Sequence, residues 1–274
     1  MDNSSKQWAN LYRLGAITTV IVLLGIILDM VVGSITGADI SALPQTAVER
    51  FNQFKDNPLL GLYTLDLLNT IIQIIFIPSI FAIYAAHRKV SNPSALLSLI
   101  LSLAGTTIFV TGNTALTMLD LSQKYFAATS DEQRLLISAA GEAMLAKGEH
   151  GSLGVFFGFA MIPFANAMMS GVMLNGNVFS RATSYIGIIG NSLMVIYVVL
   201  VTFIPAVEKT AMVFAMPAGL LVMVWMIMFT IKLSGHEKTC RHNFQNSIRQ
   251  QVNTPKINCR PDFSFRRNPE IPFP

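Results

Sequence analysis

The sequence predicts an all-α integral membrane bundle of about six transmembrane helices, with short amphipathic helices in its two long outer loops and both termini cytoplasmic. Three observations carry that expectation. Hydrophobic residues make up 52% of the chain and charged residues only 12%, where soluble domains carry roughly 25% charged residues, so a water-soluble surface cannot be covered. The apolar residues fall in runs of about 20, the length that spans a hydrocarbon core. Lysine and arginine, finally, divide unequally between alternate connections, which orients the bundle.

The predicted spans are 14–35, 59–85, 94–118, 151–173, 184–206 and 211–233. The first far exceeds the roughly 7–15-residue apolar core of a secretory signal and no small-x-small cleavage pattern follows it, so it is read as a retained helix after a cytoplasmic N-terminus over 1–13. Length and the need to pair every backbone group internally select helices over strands. One set of connections holds Lys6, Arg13, Arg88, Lys89, Arg181, Lys232 and seven tail residues; the other holds Arg50, Lys55, Lys124, Arg134, Lys147 and Lys209. The first set is therefore placed inside. The formal charge of +4 comes from the segment 235–274, which fits anionic lipid at an inner membrane face and not a nucleic-acid groove.

In the first outer loop Ala47, Phe51 and Phe54 share one helical face after Pro44; in the second, Thr129 or Ser130 can cap a helix that places Leu136, Ala140, Ala143 and Met144 together and ends near Gly148. Both are read as helices lying on the membrane surface or over the bundle mouth. The segment Tyr125-Phe-Ala-Ala-Thr-Ser-Asp-Glu-Gln-Arg134, leading into Ala139-Ala140-Gly141, resembles the prokaryotic membrane family catalogued as domain of unknown function 4386, over roughly residues 9–233. The apolar segments delimit a six-helix domain over 14–234, and the resemblance implies such a fold and a prokaryotic source, hence a prokaryotic plasma membrane; it implies no activity.

Polar residues inside the spans are the candidate ligand-binding site, because lipid offers them no partners. Asp29 near the end of the first span and Asp66 near the start of the second both lie roughly 9–11 Å below the outer surface at about 1.5 Å per residue. Asn69, Thr70 and Gln73 share the face of Asp66; Asn113, Thr117 and Asp120 form a stripe continued inward by Thr106, Ser102 and Ser98, and His150 begins the fourth span at the same surface. Neither aspartate has a lysine or arginine at its own depth, so each needs a proton, water, a cation or a ligand. Gly154 with Gly158, Ala167 with Gly171, and Gly187 with Gly190 are expected to let helices approach closely, and Pro78, Pro163 and Pro217 to kink their spans.

The sequence holds no HExxH, CxxC, P-loop or nucleophile-elbow pattern, so it points to no catalytic residue, metal ligand or cofactor. His236, Cys240, His242 and Cys259 in the tail match no common zinc spacing, and five prolines there point to a disordered segment. The leading expectation is a multi-pass protein with an outward-facing polar pocket for a small ligand or cation, in transport or sensing. The alternatives are an intramembrane hydrolase using Asp29 and Asp66, and a scaffold whose small-residue faces hold another membrane protein.

Overall fold

A computed structural model describes residues 3–35, 44–88, 90–148, 152–176, 178–204 and 207–251. Among these the chain forms ten helices and no strand: α1 (Asn3–Ile35), α2 (Ala47–Asp56), α3 (Pro58–Thr64), α4 (Leu67–His87), α5 (Asn92–Gly112), α6 (Ala115–Ala127), α7 (Asp131–Gly148), α8 (Leu153–Gly176), α9 (Arg181–Phe203) and α10 (Glu208–Gln251). Six stretches are long and apolar enough to cross a membrane, namely Gln7–Ile35, Leu67–His87, Pro93–Ala127, Gly154–Gly176, Arg181–Phe203 and Thr210–Gly235.

The spans pack as α1 on α4 and α10, α5 on α8, and α9 on both α8 and α10. Helix α1 shows why: Ala16, Thr19 and Val22 are buried, while Leu14, Ile17, Leu24, Leu28 and Val31 stay exposed on the faces left to lipid. Its glycine at 15 lies against α4, where Ser79 donates to the Gly15 carbonyl at 3.0 Å and Thr18 and Thr19 meet the Ser79 hydroxyl at 2.8 and 2.9 Å. The bundle core closes on Trp225 and Phe229, whose rings meet edge to face at 4.8 Å. Gly158, Gly187 and Gly190 each press against a neighbouring helix as their spacing predicted, whereas a side chain at Gly154 or Gly171 would enter open space.

Two predicted spans are interrupted. The stretch expected as one helix over 59–85 breaks at Leu65–Asp66, where Asp66 takes the left-handed conformation (φ 60°, ψ 25°). The stretch expected over 94–118 breaks at Asn113–Thr114, with Asn113 extended. Both breaks lie at the same end of the bundle, and beyond them α2, α3, α6 and α7 fold on one another into a cap with its own core of Ala47, Phe51, Phe54 and Met118.

Helix α2 carries a capping box, Thr46 accepting from the Glu49 amide and Glu49 accepting from the Thr46 amide, and buries Ala47, Phe51 and Phe54 as expected. Ser130 caps α7, accepting from the Gln133 amide at 3.2 Å. The buried face of α7 differs from the expected one: Ile137, Gly141, Met144 and Leu145 pack inward, while Leu136, Ala140 and Ala143 are exposed. The reason is the approach of α2, whose Phe51 and Ala47 occupy the space a Gly141 side chain would need, so α7 is rolled to present the glycine in its interior.

Helix α10 runs on to Gln251, so residues 235–251, expected within a disordered tail, are helical. No proline falls between Pro217 and Pro255 to end it; residues 252–274, with Cys259, lie outside the described residues.

Candidate functional site

The two helix breaks are joined by one side chain. The break at Asp66 frees the Leu65 carbonyl, and the break at Asn113 frees the Ala115 amide. The Asn113 amide nitrogen donates to the Leu65 carbonyl at 2.8 Å, and its oxygen accepts from the Ala115 amide at 3.1 Å. Lys147, from α7, donates to the Thr111 carbonyl at 3.1 Å, which the same break exposes. Asp66 is held in turn by its carbonyl, which accepts from the Thr70 hydroxyl at 2.9 Å, and by its carboxylate, which accepts from Asn69 at 3.2 Å.

Interrupting the helices here opens space beneath the cap. A chamber of about 250 Å³ is walled by Arg50 of α2, Thr64 of α3, Asp66, Asn113, and the rings of Phe109 and Phe159. Arg50 is only 8% exposed. One of its terminal nitrogens donates to Thr64 at 3.1 Å and Gln53 at 3.3 Å, but its Nε–H, fully buried, has no partner. Burial pulls the Arg50 guanidinium down from its usual pKa, partly offset by Glu49. Arg50 and Asp66 share the chamber without closing an ion pair; the pairs among the described residues are Lys124 with Asp120 and Arg134 with Asp131.

A second cavity of about 190 Å³ lies among the spans, with all six contributing to its wall. It is mainly apolar but receives Asn69 and Gln73 from α4, Asn166 from α8, Asn191 from α9 and Trp225 from α10. Phe109 and Phe159 border both cavities and meet edge to face at 4.7 Å.

The predicted site residues therefore divide. Asp29 and Asp66 lie within electrostatic range of each other, with Tyr63 and Asn69 near the Asp29 carboxyl, while the Asn69 side chain donates to the Asp66 carboxylate. The Tyr63 hydroxyl also donates to the Asp29 carbonyl at 2.9 Å. Asp29 borders neither cavity, whereas Asp66 and Asn113 border the chamber, and Asn69 and Gln73 the cavity among the spans. Asp120 is exposed and paired with Lys124 at 2.6 Å, and Thr117 is exposed as well. The break at Asn113 shifts the helical phase, so the stripe from Thr106 through Ser102 to Ser98 stays buried while its predicted continuation turns outward. His150 lies outside the described residues.

Two features were missed. The acids were expected without a cation, yet Arg50 enters the chamber wall of Asp66. Its position was legible, since 47, 50, 51 and 54 follow the i, i+3, i+4, i+7 pattern of a buried helix face. Asn166 and Trp225 lie in long apolar helices, while Asn191 continues a stripe with Ser184 and Gly187 at helical spacing that could have marked it. Among the described residues no cluster of histidine, cysteine and carboxylate suited to a metal occurs.

Six apolar spans, with helix breaks at Leu65–Asp66 and Asn113–Thr114 beneath a folded helical cap, define a multi-pass membrane protein with cavities at its capped end and among its spans. The chain matches the family model described as "Domain of unknown function (DUF4386)" over residues 14–232, and it belongs to that family. No curated protein and no solved structure matches it.

Proposed function

We propose that this protein binds a small solute bearing an anionic group in the chamber beneath the cap, facing the outside of a prokaryotic plasma membrane, in the service of transport or sensing. The observation that carries this reading is Arg50: a charged side chain almost wholly withdrawn from water, with a buried Nε–H left unpaired, in the wall of a 250 Å³ chamber. A buried charged donor without an acceptor is costly, and a planar guanidinium is suited to a carboxylate or phosphate oxygen. Asp66 on the same wall favours a solute that also carries a positive group. The lysine and arginine asymmetry supports the outward orientation of the cap.

Two measurements test this. With the protein in nanodiscs, glycine, glutamate, acetate and inorganic phosphate are titrated against thermal stability; at least one should stabilise the parent, and Arg50→Gln should weaken that effect at least tenfold. Equal responses in both proteins, or none in the parent, overturn the reading. Separately, single cysteines placed near 88 and near 135 in a chain without Cys240 and Cys259 are exposed to a membrane-impermeant thiol reagent on intact cells. Only the second should react, and labelling near 88 reverses the orientation.

A further inference from the structure

We infer that the solute held at Arg50 is an α-amino acid with an apolar side chain, and that Phe109, Leu145, Val155 and Phe159 select for that side chain. The inference rests on the chamber beneath the cap being the binding site. Its wall has two unlike sides, supplied by different elements. Gln45, Arg50, Thr64, Asp66, Asn113 and Thr114 come from α2 and the turn before it, from α3, and from the two helix breaks. Phe109 comes from α5, Leu145 from α7, and Val155 and Phe159, one turn apart on one face, from α8. Phe109 and Phe159 also border the cavity among the spans, so the apolar side lies toward the bundle interior and the charged side toward the cap.

On the charged side much of the hydrogen bonding is already spent. Asn113 is used at both ends, on the Leu65 carbonyl and the Ala115 amide, and the Thr64 hydroxyl donates to Gln53 at 3.0 Å while accepting from Arg50. This leaves the opposite charges of Arg50 and Asp66 as the strongest contacts, matching a carboxylate and an ammonium on one solute; Gln45 and Thr114 add neutral polar groups. The other side offers such a solute nothing polar. Its rings and branched side chains are kept from water only by an apolar group of the occupant. Size agrees: about 250 Å³ is about 100 Å³ more than the roughly 150 Å³ that encloses a benzene, which leaves room for the two charged groups beside a ring or branched chain. Glycine would leave the rings bare, and glutamate would set a second carboxylate against them without a partner.

The test titrates phenylalanine, glycine and glutamate into the full chain in nanodiscs by isothermal calorimetry, with empty nanodiscs subtracted. Phenylalanine should bind at least about tenfold more tightly than glycine, the worth of one buried ring at the low end, and glutamate no more tightly than glycine. Val155→Thr, which keeps the volume but sets a hydroxyl on the apolar side, and Phe159→Leu should each reduce the phenylalanine-to-glycine ratio about threefold or more. Arg50→Gln should weaken both amino acids and keep the ratio. A parent ratio near one, with glycine or glutamate binding still lost in Arg50→Gln, overturns the side-chain inference while the chamber reading stands. A ratio unchanged in both Val155→Thr and Phe159→Leu overturns it as well; should one of these fail to fold, the other decides. If none of the three amino acids binds, the inference falls, and the chamber reading stands or falls with the acetate and phosphate titrations.

Discussion

Replacing Gly141 by alanine sets two opposing effects against each other in the cap. In the interior of α7 the added methyl should favour the helix by about 0.8–1.0 kcal/mol. That methyl would lie 2.6 Å from the Phe51 Cζ and 2.7 Å from the Ala47 Cβ, both fully buried. Neither neighbour can yield cheaply: the Ala47 Cβ is fixed to its backbone, whose amide donates to Glu142 at 2.7 Å, and the Phe51 ring packs on Tyr125 at 5.3 Å. Overpacking of this kind costs roughly 1–3 kcal/mol, and with both obstacles rigid the upper half applies. The net expectation is a destabilisation of about 1–2 kcal/mol confined to the contact of α2 with α7. Hydrogen exchange of the protein in nanodiscs should show α2 and α7 amides exchanging roughly 5–30 times faster, with α4, α8 and α9 unchanged. Ala140→Gly, at an exposed neighbouring position, supplies the control, since it changes helix propensity alone. Unchanged or greater protection of α2 in Gly141→Ala would refute the packing argument.

Asn113→Ala should unpair the Leu65 carbonyl and the Ala115 amide together, costing about 2 kcal/mol at the low end for two part-buried groups; faster exchange confined to the breaks would be the sign, and retained protection would contradict it. At Asp66, whose φ is 60°, alanine should be less stable than glycine by about 1 kcal/mol, because only glycine occupies that region freely; equal melting temperatures would dismiss backbone strain there. Glu49 has its pKa lowered from 4.5, first by the Gln45 and Thr46 amides that donate to it. A depressed folded value means that its contribution is present above pH 4.5 and is lost as pH falls below that through the folded value. Protection of the first turn of α2 should therefore decline on acidification over that window, and Glu49→Gln should remove that pH dependence; an identical decline in the variant would assign it to another group.

The spans were readable because lipid imposes a length and an apolar composition on any helix that crosses it, and α8 and α9 start and end within a few residues of the runs in the sequence. The breaks were not readable from those runs. Leu65 sits in apolar surroundings that read as continuous helix, Gly112-Asn113 is a local stop signal overridden by the apolar run on either side of it, and what stops the helices is a tertiary exchange, one amide at Asn113 satisfying backbone groups that come from both interruptions. No local propensity contains that exchange. The expected face of α7 failed for a related reason: hydrophobicity favoured Leu136, but close approach of α2 required the missing side chain of Gly141, and steric access outweighs apolar area when two short helices must meet.

Arg50 shows how the candidate site could have been found and why it was not. Its place in the i, i+3, i+4, i+7 series with Ala47, Phe51 and Phe54 put it on the buried face of α2 before any fold was known. An arginine in such a series is ordinarily assigned to the solvent edge, its stem covering apolar surface while the head reaches water. Here the head lies beneath the cap, because α3 offers Thr64 as an acceptor and the break at Asp66 hollows out the space beside it. The same interruption that hid the shape of the second span therefore makes room for the charge, and a chamber holding Arg50 and Asp66 exists only if both breaks form. Asn113→Ala should thus weaken anion binding at Arg50 without touching the arginine, an effect that a site built from α2 alone would not show.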